Sequence, residues 1–443
     1  MNELLKRIFW KLPISKELKY RIGNKRYERI LKKEEVKDQK GSFTVIHDSR
    51  AVLEYSKYLL GQYGRRSEFF KPFSSLPGLE QEVHIAAYYL TQYHPNPQND
   101  EWWGRGTTEW NNVNQAQPQY AGHYQPRRPG ELGYYDLRLK ENMQRQIELA
   151  KNYGVDIFCF YYYWFDGEHL LERPLNMFLK NKDMDIHFCY CWANENWTKR
   201  FSGTDAGVLM GITHTKENYE QFIQAVLPDM KDERYYRIKG RPVLSIYRPS
   251  LIPDTEEVLK HWRQRAKEEL GADIYLIAVQ ERDTSINWCA AGFDAETEFQ
   301  PKQIQHQCKE ITKRMKPIRG DFSGNIYDYE DLVRNQRYVM SGNQKKKVYP
   351  AVMPMWDNTA RRNFRGTIFH GSTPELYKIW LADVIKRLRL RKDLDDRLLF
   401  VNAWNEWGEG TYLEPDYYFG YAYLQATREA LEEEKNLNST YIG

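Results

Sequence analysis

From Val83 onward, short runs of consecutive apolar residues alternate with longer stretches in which apolar residues recur every three or four positions. The runs predict strands at Val83–Tyr89, Ile157–Tyr163, Ile186–Cys191, Val243–Tyr247, Ile274–Val279, Ala295–Phe299, Val348–Met353 and Leu398–Ala403. The longer stretches predict helices at Leu137–Tyr153, Lys216–Met230, Thr255–Leu270, Pro374–Arg391 and Tyr418–Glu433. Strands that are apolar on both faces must be covered on both, as in parallel sheets flanked by helices. Eight such units predict an α/β fold of the (β/α)8 barrel type. The sixth strand is the weakest, because Glu296 and Glu298 interrupt it, and without it a doubly wound sheet is the alternative. Against that alternative, no strand is followed by a G-x-G-x-x-G or a P-loop.

The pattern divides the chain into a basic, mainly helical extension, residues 1–80, and a (β/α)8 domain, residues 81–443. Residues 1–40 hold thirteen Lys/Arg and six Asp/Glu, a net of 13 − 6 = +7, so the rest of the +4 chain carries 4 − 7 = −3. Within this segment Leu4, Leu5, Ile8, Phe9 and Leu12 form an apolar stripe beside Lys6, Arg7 and Lys11. Such a helix either docks on protein or makes peripheral contact with an anionic membrane surface. No nucleic-acid module accompanies the charge, so nucleic acid is not expected as a partner. The region Pro72 to Pro77 reads as a linker or wrap-around arm. No stretch reaches the ~20 apolar residues of a membrane span, and the start Met-Asn-Glu-Leu-Leu-Lys-Arg lacks a secretory signal. A cytoplasmic location follows as the expectation, with the sequons at Asn196 and Asn438 unglycosylated. The five cysteines, Cys159, Cys189, Cys191, Cys289 and Cys308, form neither a disulfide framework nor a zinc site, and Cys189 and Cys191 read as small core side chains.

Candidate chemistry concentrates after the last strand, in Val401-Asn-Ala-Trp-Asn-Glu-Trp-Gly-Glu-Gly-Thr-Tyr-Leu-Glu-Pro415. Glu406 and Glu409 there stand among Trp404, Trp407 and Tyr412, and paired carboxyls beside flat aromatic faces suit acid–base cleavage of a sugar. The plainer reading is a solvated turn whose acids cap the following helix. In a barrel the strands' carboxyl ends carry the site, and four further motifs fall there: Tyr88 to Pro95 with Asn99 to Trp110, Tyr161 to Asp166, Trp192 to Trp197, and Met355 to Arg361. The substrate-binding candidates are therefore Tyr88, Tyr89, His94, Trp103, Trp110, Tyr163, Trp164, Trp192, Asn194, Glu195, Trp356, Asp357, Trp404, Asn405 and Trp407. Both acids are expected in one cleft with Trp103, Trp164, Trp192 and Trp356, whereas a Glu406 sealed against a core arginine would argue against catalysis. Asp183-Met-Asp185 has the spacing of a nucleotide-sugar metal site, but it precedes the third strand, at the amino end of the barrel.

Five ordered motifs, Ala87 to Pro95, Glu109 to Val113, Phe160 to Trp164, Trp192 to Trp197 and Trp404 to Gly410, together resemble the WbsX-like proteins of bacterial polysaccharide clusters, which are related to glycoside hydrolase family 99. The resemblance covers roughly residues 83 to 430. It implies a (β/α)8 barrel and retaining, endo-acting cleavage of α-mannosidic linkages without a cofactor. By the family's Glu-x-x-Glu motif, Glu406 would act as base on the sugar's own 2-hydroxyl, giving a 1,2-anhydro sugar, and Glu409 as acid to the leaving oxygen. Trp404 and Trp407 would supply the apolar walls that keep Glu409 protonated. An oligosaccharide or polysaccharide is the implied substrate. Two other readings stand beside this one: a glycosyltransferase of O-antigen or capsule biosynthesis, and a non-catalytic glycan-binding barrel.

Overall fold

The computed structural model describes Ser56 and residues 65–198, 207–315, 317–318 and 320–440, so the stripe expected at Leu4–Leu12 and the basic segment 1–40 lie outside the described residues. A parallel sheet closes on itself through β1 (His84–Tyr89), β2 (Ile157–Phe165), β3 (His187–Trp192), β4 (Arg241–Ile246), β5 (Tyr275–Val279), β6 (Ala295–Thr297), β7 and β8 (Leu398–Val401). β7 comes in two halves, Val348–Tyr349 and Ala351–Val352. The first pairs with β6 (Glu296↔Val348) and the second with β8 (Val352↔Val401), with Pro350 between them. Proline has no N–H to give a ladder, yet its carbonyl accepts from Phe400 N at 2.9 Å, so the break does not open the ring. The fold is therefore the expected (β/α)8 barrel.

The helices α1 (Lys140–Asn152), α2 (Arg173–Lys180), α3 (Lys216–Val226), α4 (Thr255–Leu270), α5 (Tyr329–Arg334), α6 (Pro374–Leu390) and α7 (Ala422–Thr440) cover the sheet. In α4, Val258, Leu259, Trp262 and Ala266 form the buried stripe, and Gly271 ends the helix at φ +68°. The side chain of Thr373 caps α6, with Pro374 at its first position. One departure from the repeat is the link between β5 and β6, where only a short turn, Trp288–Ala291, stands in place of a helix.

β6 persists despite its acids because both are provided with donors. Glu296 accepts from Gln280 Nε2 at 2.8 Å and Trp288 N at 3.0 Å. Glu298 accepts from Asn343 Nδ2 at 2.7 Å and Ala351 N at 3.1 Å, while burial pushes its pKa up to about 7. A buried polar group that is fully hydrogen-bonded is compatible with a strand. Cys189 and Cys191 are buried free thiols, as expected of core side chains. The Pro72 to Pro77 segment wraps the barrel: Leu76 N donates to Asn152 Oδ1 at 2.9 Å, and Arg428 Nη2 donates to Pro77 O at 2.9 Å. Among the described residues, no helix is long and apolar enough to cross a membrane.

At the carboxyl end, the long connections after β6 and β7 build a second, small sheet in which Asn325–Asp328 pairs with Thr367–His370, which pairs in turn with Trp356–Asp357. This sheet launches the short helix Thr359–Arg362 across the barrel mouth.

Candidate active site

Directly beyond β8 the chain forms a tight hairpin, Asn405↔Tyr412 and Glu406↔Thr411, whose turn is Trp407–Glu409. Asn405 anchors it to the loop after β1 by accepting from Leu90 N at 2.8 Å and donating to Leu90 O at 3.0 Å. The Tyr93 hydroxyl adds a second anchor, donating to Asn405 O and accepting from Trp407 N. Within the turn, Glu409 N donates to Glu406 Oε1 at 3.2 Å, so the two acids are held in register by one backbone bond.

Arg361 stands at the centre of the site. Its Nε lies 2.9 Å from Glu109 Oε1, its Nη2 lies 2.9 and 3.1 Å from the two Glu406 oxygens, and its Nη1 lies 3.5 Å from Glu409 Oε1. Gly408 makes this possible, since a Cβ there would lie 1.9 Å from Glu109 Oε1 and 2.7 Å from Arg361 Nε. Gly410, at φ +58°, closes the turn against the Asp357 carbonyl. Asp357 fixes the base of the Thr359–Arg362 helix by accepting from His123 at 2.7 Å, Gln125 at 2.6 Å and Thr359 Oγ1 at 2.6 Å. Burial would raise its pKa, but His123 and Arg127 outweigh burial and hold it well below the usual carboxylate range.

Three carboxylates around one guanidinium carry a formal charge of 1 − 3 = −2. In so dry a place that excess favours retention of a proton. Burial, opposed by Arg361 and reinforced by Glu409, pushes Glu406 up to about 8, and burial raises Glu409 as well. Despite burial, the surrounding acids hold Arg361 firmly protonated. Glu406 is thus paired with arginine, as the adverse expectation had it, but it is not sealed. Both Arg361 and Glu406 line an open cavity of about 290 Å³, together with Glu409. Tyr161, Tyr163, Phe165, Trp197 and Tyr247 wall it, and Gln92, Asn196 and Glu195 add polar groups. Glu195 is held by Arg248 at 3.2 Å, whose Nε also meets Glu281 at 2.7 Å.

Strand alternation decides which candidates reach this cavity. In β2 and the residues beyond β3, Tyr161, Tyr163, Phe165, Ala193 and Glu195 point inward. Their neighbours point outward: Trp164 meets Phe222, and Trp192 stacks on Phe222 at 4.1 Å beside Trp262. Asn194 braces the Arg248 backbone at 2.7 and 2.8 Å. Tyr89 likewise faces α1, donating to Gln146 at 2.6 Å. Tyr88 faces inward but lies under the floor, against Tyr161 and Phe299.

Other candidates support the turn. Trp407 stacks on Tyr412 at 3.7 Å and donates to Glu414 at 2.7 Å, Trp110 packs on Trp407, and Trp404 is fully buried against Phe158. Trp404 and Trp407 therefore lie beneath the acids and leave the walls to the tyrosines. His94 Nδ1 donates to Thr91 O at 2.8 Å, and burial lowers the pKa of the ring to about 4. Trp103 ends the helix Pro97–Trp103 outside the cavity lining, and Trp356 lines an adjoining cavity. Residues of the site outside the candidate set are Glu109 and Arg361, which belong to the motifs Glu109-Trp-Asn-Asn and Met355 to Arg361, and the lining residues Gln92, Tyr161, Phe165, Asn196, Trp197 and Tyr247.

The Asp183-Met-Asp185 pair is exposed just before β3, with Asp183 bound to Lys140 at 2.6 Å and Asp185 bound to Lys151, far from this mouth. Among the described residues, no group of three His, Cys, Asp or Glu side chains is placed to hold a metal.

A family model described as "Glycosyltransferase WbsX" matches residues 85–427. A curated relative described as "Uncharacterized protein WxcX", from Xanthomonas campestris pv. campestris, is 40% identical over 351 residues, 78% of this chain and 49% of that protein. The chain thus spans about half the length of the curated relatives it matches. Among solved structures, the GH99 endo-alpha-mannosidase from Bacteroides thetaiotaomicron is 14% identical, with a TM-score of 0.51 over 81% of this chain and 100% of that one. A "Glycoside hydrolase-like protein" is 15% identical, with a TM-score of 0.51 over 81% of this chain and 97% of that one. These likenesses show a shared fold.

Because Trp192 is core rather than wall, Trp192→Ala should cost about 3–5 kcal/mol of stability in denaturant unfolding. A Gly408→Ala variant should break the Glu109–Arg361 contact and cost about 1–3 kcal/mol by overpacking, which the same unfolding experiment measures.

Proposed function

This chain belongs to the WbsX family of carbohydrate-active proteins, and from that premise we propose that it is a retaining, endo-acting glycosidase on α-manno-configured glycans, working in bacterial surface polysaccharide metabolism. The observation that carries the reading is the Glu406–Glu409 pair in one open cavity, bridged by Arg361 and raised in pKa by burial.

The pair shares a proton near neutrality, and its placement follows from the contacts. Burial lifts Glu406 to about 8 and raises Glu409 as well, yet Arg361 meets both oxygens of Glu406 and touches Glu409 only at 3.5 Å, a contact that favours the ionised form at Glu406; the proposed mechanism therefore takes Glu406 as the ionised member and Glu409 as the one that carries the shared proton. Glu409 is also the more open side chain, 29% exposed against 8%, as a group that must reach a glycosidic oxygen requires. In the first step Glu406 takes the proton of the sugar 2-hydroxyl, and O2 forms a bond to C1. The C1–O bond to the leaving group breaks, and Glu409 protonates the departing oxygen. In the second step Glu409 takes a proton from water, the water oxygen bonds to C1, the C1–O2 bond breaks, and Glu406 returns its proton to O2. Two displacements at C1 leave the configuration retained. The tyrosine walls and Trp197 supply ring faces for the sugar, and Gln92 and Asn196 supply hydrogen bonds.

A glycosyltransferase is the second reading, favoured by the description of the matching family model. Mass and anomeric analysis of products from α-manno-oligosaccharides and from nucleotide sugars separates the two readings.

Glu406→Gln and Glu409→Gln should each lower turnover by at least ~10²-fold with unfolding midpoints nearly unchanged, because an amide keeps the shape and cannot exchange the proton. Wild-type rates in both variants would refute the mechanism. Turnover also needs the singly protonated pair, so kcat/KM should fall as pH rises through the pair's upper apparent pKa, near 8. The falling limb should vanish in Glu409→Gln, as initial-rate measurements across pH will show.

A further inference from the structure

Beside the catalytic cavity lies a second one, of about 340 Å³, that shares Tyr247, Phe299, Asn358, Arg362 and Glu409 with it. Their charges are opposed. The charged lining of the catalytic cavity is Glu195, Glu406 and Glu409 against Arg361 and Arg362, a formal 2 − 3 = −1. The second is lined by Arg282, Lys302, Arg362 and Arg365 against Glu409 alone, a formal 4 − 1 = +3. The short helix Thr359–Arg362 separates these environments: Arg361 turns to the three carboxylates, while Arg362 lines both cavities.

Lys302 makes the second cavity more than a basic surface. Its ammonium sits 3.9 Å from the centroid of the Tyr247 ring and 5.3 Å from that of Phe299, an arrangement that holds the charge over ring faces. Its Nζ is buried and has no hydrogen-bond partner among the described residues. The nearby acids Glu195 and Glu281 are bound instead by Arg248, at 3.2 and 2.7 Å. A buried ammonium without an acceptor is unfavourable, and burial lowers the pKa of Lys302 toward about 8. An oxyanion entering from the cavity would supply the missing acceptor and meet the arginine guanidinium groups at the same time.

We propose that this cavity is a cationic subsite that binds an oxyanion of the glycan, a carboxylate or a phosphate, on the leaving-group side of the bond to be cleaved. The side follows from the lining: the subsite touches Glu409, the acid that protonates the leaving oxygen, and does not include Glu406. The assignment rests on the glycosidase reading above for its orientation. The substrate class is thereby narrowed from neutral mannan to an acidic glycan, or to a glycan still carrying the phosphate through which it was assembled.

The test is equilibrium binding by calorimetry to the full chain carrying Glu406→Gln, which blocks turnover. Three probes share one α-manno-tetrasaccharide: neutral, with a reducing-end glucuronate, and with a reducing-end phosphate. At least one anionic probe should bind about tenfold more tightly than the neutral one at low salt, and which one does so identifies the source of the anion. In Lys302→Met and, separately, in the more exposed Arg365→Gln, that preference should shrink to within about threefold while affinity for the neutral probe holds. Equal binding of all three probes, or a preference that survives both substitutions, would overturn the proposal. Retained cleavage of neutral probes by the wild type would leave the glycosidase reading intact in that event, so the two fail separately.

Discussion

Arg361 is the contact on which the barrel mouth depends, because one guanidinium binds three acids and so ties three separate segments together. Glu109 comes from the insertion after β1, while Glu406 and Glu409 come from the hairpin after β8, and Arg361 itself belongs to the connection after β7. Largely buried charges of this kind persist when geometry and hydrogen bonding are good, and removing one partner leaves the others uncompensated. The constraint spreads outward from there. Gly408 has no side chain because the Glu109–Arg361 pair occupies its space, and Gly410 is αL because the Asp357 carbonyl lies against it. Trp407 and Tyr412 stack beneath the turn to hold its height. The aromatic residues closest in sequence to the acids are thus scaffold, and those that face a ligand come from other strands.

The excess of acid over base in this hub gives the site its chemistry. In the proposed mechanism, two carboxyls differing in distance to a single cation take different protonation states, by the same balance of burial and charge that separates acid from base in other paired-carboxylate sites. The neighbouring cavity has the opposite sign and shares Glu409. A charged group bound there would sit beside Glu409, the proposed acid, so recognition and proton delivery would meet at one side chain.

Much of this was legible in the sequence. Strand positions came through because their apolar runs are continuous; β6 was the weakest of them because of its acids, which the structure provides with buried donors in Gln280, Trp288 and Asn343. The Glu-x-x-Glu turn at the end of β8 was also readable. The sugar-facing surface was less so, since the reading took Tyr163 with Trp164, and Trp192 with Asn194 and Glu195, as single rims. A strand sends alternate side chains to opposite faces, so Trp164 and Trp192 pack on α3 while Tyr163 and Glu195 enter the cavity. Parity counted from the strand's buried start would have separated them. Arg361 and Glu109 were harder, because a bridge between residues 252 positions apart leaves no local pattern.

The protonation state of the carboxyl pair tests this account most directly. With glutamate Cδ labelled by 13C, carboxyl resonances assigned by their loss in Glu406→Gln and Glu409→Gln can be followed across pH in the resting protein. The account predicts that the pair keeps one proton at neutrality and releases it near pH 8, and that this midpoint moves higher when Arg361→Met removes the opposing charge. Full ionisation of both carboxyls by about pH 5, as for ordinary exposed glutamates, would contradict it.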